Sequence, residues 1–174
     1  MATEVLYPNG AGDRTECTPD VAPNWSRVCE DPADDGASMV ATSVATSPDE
    51  DLYTIPAPSD IEALDIINSV TVYARSSAGV MGTGTVAPCV KEGGTDTAGT
   101  PQNLSGWGEH SETWNTRPSN GANWAYSDLV GDGALQIGHR LTASAAGVST
   151  TRVKVVIDYT KREAQVIIVG PVPA

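Results

Sequence analysis

Two stretches of this chain alternate so strictly that they define its fold class. In INSVTVYAR (67–75), Val70, Val72 and Ala74 fall on one side and Thr71, Tyr73 and Arg75 on the other. In TTRVKVVIDYT (150–160), Val153, Val155, Ile157 and Tyr159 oppose Arg152, Lys154, Val156 and Asp158. A repeat of two is the signature of a half-buried strand, and it cannot lay an apolar stripe along a helix. Half-buried strands need a second layer to cover them.

The remaining chain reads as short strands cut by turn signals. TEVLYP (3–8) is a first strand, ended by Pro8-Asn9-Gly10, and APNWSRVCE (22–30) is a second, anchored by Trp25 and Val28. SMVATSVAT (38–46) and LYTI (52–55) are joined by the acidic turn SPDED, and Pro56 and Pro58 stop pairing after them. GTVAPCVKEG (84–93) ends at Gly93-Gly94, SGWGEHSETWNT (105–116) carries Trp107 and Trp114, and ALQIGHRLTASA (134–145) puts Leu135, Ile137, His139 and Leu141 on one face. NWAYSDLVGDG (123–133) is the one helical turn, closed by glycine. Eight to ten strands at these intervals predict an all-β, antiparallel β-sandwich of the jelly-roll kind, with one short helical turn near 123–130. Residues 1–160 form a single domain with an acidic, loop-rich N-terminal third, and 161–174 extend beyond it.

Charge limits the partners. Residues 1–60 hold twelve acids against Arg14 and Arg27, and the whole chain carries −12. Binding phosphate requires clustered Lys and Arg, so nucleic acid and anionic membrane are not expected as partners. MATEVLYPNG has neither the basic nor the apolar region of a signal peptide, so synthesis in the cytoplasm is expected.

No catalytic signature emerges: there is no Gly-x-Ser-x-Gly, His-Glu-x-x-His or phosphate loop. His139 reads as a structural histidine on an apolar face. His110 with Glu109 and Glu112 is a weak metal corner. The acidic loops DPADDG (31–36) and SPDED (47–51) offer oxygen ligands for Ca²⁺ without the spacing of an EF-hand, and no other cofactor is expected. Cys17, Cys29 and Cys89 match no zinc spacing. Buried free thiols are the default reading, and a Cys17–Cys29 bridge across a Pro-rich loop is the other. Trp107, Trp114 and Trp124 either supply bulk to a core that lacks Phe or stack on sugar rings.

WNTRPSNGANWAYSDLVGDGALQIG (114–138), with the opening EVLYPNGAGD and the closing VKVVIDYT, resembles short jelly-roll-like structural proteins of tailed phages. The resemblance spans roughly residues 3–160. It implies a non-enzymatic virion role, as capsid decoration or fibre subunit, with the chain itself and a capsid or other virion protein as partners and no catalytic residues to carry over. Within the motif, Pro118 and Gly121 shape a turn, Trp114 and Trp124 plug the end of the sandwich, and Asp128-Leu129 close the short helix.

The chain ends REAQVIIVGPVPA (162–174), whose apolar run has no solvent face. Val166, Ile167, Ile168, Val169 and Pro171 are therefore expected at a contact: either the segment returns to its own sheet or it is donated to a neighbouring subunit. A carbohydrate-binding adhesion module and a subunit of an extracellular tube or filament are the alternatives to the virion reading.

Overall fold

The computed structural model describes residues 1–42, 48–79, 82–131, 133–143 and 147–162. Twelve strands lie among them: β1 (Ala2–Leu6), β2 (Gly10–Thr15), β3 (Thr18–Pro19), β4 (Val40–Thr42), β5 (Asp49–Thr54), β6 (Ile66–Ala78), β7 (Gly84–Glu92), β8 (Thr95–Ala98), β9 (Gln102–Asn103), β10 (Gly108–Trp114), β11 (Gln136–Ala143) and β12 (Val148–Thr160). A single-turn helix, α1 (Tyr126–Leu129), precedes β11.

The strands form two antiparallel six-stranded sheets. The first runs β10-β6-β12-β4-β3 with β1 also on β12, and the second runs β2-β5-β11-β7-β8 with β9 also on β7. Eight of these strands, ordered β4-β12-β6-β10 and β5-β11-β7-β8 and crossing between layers as the chain advances, make the paired Greek keys of a jelly roll. The expected fold class is observed.

The two alternating stretches are its centre. β6 pairs with β12 so that Val70 faces Ile157, Val72 faces Val155 and Ala74 faces Val153, and all six are fully buried. From the other sheet Ile137, Leu141, Val86, Val90 and Tyr53 close the core. A register shift between Thr150 and Arg152 sets the buried Thr151 beneath the 31–38 loop, where its hydroxyl shares its one proton between Asp34 at 2.8 Å and the Ser38 carbonyl at 2.9 Å.

Several expected boundaries moved. Residues 22–30 are not a strand: Pro23 leads into a 3-10 turn over Asn24–Arg27, although Val28 is buried as expected. Gly10–Thr15, for which the sequence offered only the turn Pro8-Asn9-Gly10 at its start, is strand β2 on the edge of the second sheet; its Gly and Asp content hid it, since edge strands need no apolar face. Of SMVATSVAT only Val40–Thr42 is a described strand, and residues 43–47 lie outside the described residues. The acids of SPDED belong to β5 rather than to a loop. Gly93 and Gly94, both at positive φ, form the two-residue turn that returns the chain into β8.

Candidate functional site

The polar feature that stands out inside the sandwich is built from three separate elements. Cys17 lies in the turn between β2 and β3, while Asp51 of β5 and His139 of β11 are ladder partners. Asp51 and Tyr53 are two apart on one strand, so the alternation that turns Tyr53 into the core turns Asp51 with it. Cys17 is 5% exposed, and Asp51, Tyr53 and His139 are fully buried.

The carboxylate organises the group. Asp51 Oδ1 accepts the Cys17 amide at 2.9 Å. Oδ2 accepts the Asn24 amide at 2.7 Å and the Tyr53 hydroxyl at 2.9 Å. Asn24 also donates to the Cys17 carbonyl at 2.8 Å, which holds the turn in place. Cys17 Sγ is 3.7 Å from His139 Nε2, and one donor atom from each of Cys17, Asp51 and His139 lies within 4.8 Å of the others. His139 Nδ1 is buried without a hydrogen-bond partner among the described residues.

Burial, reinforced by the charges of Asp51 and Asp49, pushes the Cys17 thiol far up. Burial likewise lowers His139 to about 4, against the pull of Asp51, and raises the Tyr53 phenol well above its ordinary value. The pair is therefore a thiol beside a neutral imidazole. A Cys–His nucleophile needs a thiolate, which this surrounding disfavours. What the cluster offers is sulfur, nitrogen and oxygen donors facing one another.

Sequence reading missed this group because its members are 34 and 88 positions apart, with no local spacing to mark them. The one available signal was the inward phase of Tyr53, which carries Asp51 with it. His139 is on the apolar face, as expected.

The other candidates are dispersed. Glu109, His110 and Glu112 do not converge: Glu109 is held by Arg152 at 2.8 Å and Lys154 at 3.3 Å on the outer face of the first sheet. His110 meets Gln102 instead, and Glu112 accepts the Thr100 amide. The acidic loop 31–36 spends its carboxylates on the fold's own donors: Asp31 on Tyr7 and Arg152, Asp34 on Ser38 and Thr151, Asp35 on Arg75. Cys17 and Cys29 are unbridged, and the Cys29 thiol donates to the Ser26 carbonyl.

The tryptophans do not share a platform. Trp124 is 4% exposed, with its indole N–H donated to the Trp114 carbonyl at 3.0 Å, so its ring belongs to the core and is a correction to the sugar-stacking set. Trp114 packs half-buried against that core. Trp107 precedes β10, about 20 Å of strand away from Trp114, and lies against Gly36. An open groove of ≈ 310 Å³ beside the ends of β7, β9 and β11 is lined by Gly84, Thr85, Asn103, Leu104, Thr142 and Ala143 among others, none ionisable.

Val166, Ile167, Ile168, Val169 and Pro171 lie outside the described residues. The place from which the chain departs toward them is described. Ala2 pairs with Tyr159 and Ile66 with Thr160, so the start of β1, the start of β6 and the end of β12 share one end of the first sheet. Met1, Leu64 and Ile66 at that end are 97%, 74% and 45% exposed. The Arg162 amide, bonded to Asp65 at 2.9 Å, holds the outgoing chain there. No helix among the described residues is long and apolar enough to cross a membrane.

No family model matches the chain, and no curated protein matches it. Among solved structures it is similar to a carbohydrate-binding module, CBM6cm-2 from Cellvibrio mixtus lichenase 5A in complex with cellotriose, at 13% identity and a TM-score of 0.40, covering 92% of this chain and 100% of that one. At that identity and superposition, no ligand and no residue role carries over to this chain.

Proposed function

We propose that this chain is a structural subunit of a phage-type virion, a capsid decoration or fibre protein that acts by contact rather than catalysis. The observation that carries the reading is the apolar end of the first sheet. Met1, Leu64 and Ile66 stand exposed there, beside the point where the chain leaves Thr160 for the run VIIV at 166–169. An exposed apolar patch at this end of an otherwise acidic protein, with an apolar run following in the sequence, favours association through that end. The tailed-phage resemblance of residues 114–138 supplies the kind of assembly. The segment 163–174 then serves as the contact arm, engaging either a second copy of the chain or a capsid protein.

Size exclusion with light scattering, on the full chain and on a truncation ending at Arg162, tests this. The full chain is expected to assemble and the truncation to be a folded monomer. Two folded monomers would remove self-association through the arm. An unfolded truncation would assign the segment to the domain's own core.

A further inference from the structure

The buried group in the second sheet has a use that assembly does not absorb. We infer that Cys17, Asp51 and His139 form a binding site for a borderline-soft divalent metal ion of the Zn²⁺ class.

Geometry comes first. A tetrahedral centre with Zn–S of about 2.3 Å and Zn–N of about 2.0 Å sets its sulfur and nitrogen about 3.5 Å apart. Cys17 Sγ and His139 Nε2 are 3.7 Å apart, and the Asp51 donor completes a triangle whose sides are all within 4.8 Å. The carboxylate keeps acceptor capacity: among the described residues Asp51 Oδ2 accepts two hydrogen bonds and Oδ1 accepts the Cys17 amide, while the two oxygens together offer about four lone-pair sites.

Charge and polar satisfaction point the same way. Asp51 is fully buried, and its hydrogen-bond donors among the described residues, an amide, a carboxamide and a phenol, are all neutral. Buried carboxylates are ordinarily paired with a cation or coordinated to a metal. His139 presents its ring nitrogen Nε2 to the Cys17 sulfur at 3.7 Å. A divalent ion offsets the combined −2 of a thiolate and a carboxylate and gives His139 Nε2 a bond. Sulfur and nitrogen donors select a transition ion over Ca²⁺ or Mg²⁺. The consequence is structural: the ion would fasten the turn between β2 and β3 to the two central strands of the second sheet.

The full chain, expressed in medium supplemented with Zn²⁺ or with Co²⁺ and then desalted, provides the test. About one metal per chain is expected. The cobalt protein should show a thiolate-to-metal charge-transfer band in the near ultraviolet and the ligand-field bands of a tetrahedral site. Cys17→Ser should abolish the charge-transfer band and Cys29→Ser should leave it unchanged. Purified wild-type protein without metal and without these bands overturns the inference. So does a charge-transfer band that survives Cys17→Ser. Should Cys17→Ser fail to fold, His139→Gln is read by displacement of the ligand-field bands, and unchanged bands there also overturn it.

Discussion

Glu92, 1% exposed at the end of β7, holds the guanidinium of Arg117 through Oε2 at 2.6 Å and 3.0 Å. Its other oxygen accepts the Ser119 amide at 2.9 Å. Arg117 in turn reaches Asp128 at 3.0 Å, and Asp128 caps the Ala125 amide. Residues 117–128 are thus tied to one buried carboxylate. Arg117→Met leaves that carboxylate without its cation. Thermal unfolding of the variant should fall by roughly 5–10 °C, more than for Arg14→Met at a site 44% exposed. Equal midpoints for the two variants would show that the loop does not depend on the pair.

Acid should unfold the protein through its carboxylates. Hydrogen bonding to Arg27 holds Asp20 down to about 2. Burial works to raise Glu92, but hydrogen bonds from Ser119 and Arg117 outweigh it and hold it below the ordinary range. Groups lowered in the folded state bind protons more readily when unfolded. Their contribution is therefore complete above about pH 4.5 and is lost as pH falls through the folded values. The urea midpoint should drop steeply below about pH 4. Arg27→Gln should shrink that drop, and a midpoint unmoved at about pH 3 would contradict this account.

Gly138 is required by a close approach. It sits opposite Leu52 in the ladder, and a Cβ there would run into the carbonyl oxygen of Asp51. Gly138→Ala should cost about 3 kcal/mol or prevent folding by forcing β5 from β11. Gly106, with open space around it, is the control, and Gly106→Ala should stay within about 0.5 kcal/mol. Chemical denaturation of both decides it.

Thiol labelling reports on the cysteines directly. Cys17 and Cys89 are buried and Cys29 is half-buried, all unbridged. Ellman's reagent should find one fast thiol in the native protein and three after denaturation. Cys29→Ser should remove the fast one. A mass two protons lighter than the reduced chain would reveal a bridge instead.

What the sequence determined by itself was the class of fold and the phase of its central strands. Period-two patterning over 67–75 and 150–160 decides which side chains go inward without reference to any partner, and the buried set Val70, Val72, Ala74, Val153, Val155, Ile157 and Tyr159 follows it. Trp124, by contrast, read from sequence either as core bulk or as a sugar-stacking ring, and only packing placed it in the core. Tertiary structure decided what depends on distant pairing. Edge strand β2 exists because β5 offers it a ladder, not because Gly10–Thr15 prefers to be extended. The acids of 31–36 face arginines from β6 and β12 that no local window contains. Cys17, Asp51 and His139 meet only because β5 pairs with β11 and the turn after β2 folds against them, and donors brought together by pairing and packing leave no spacing in the chain to be read.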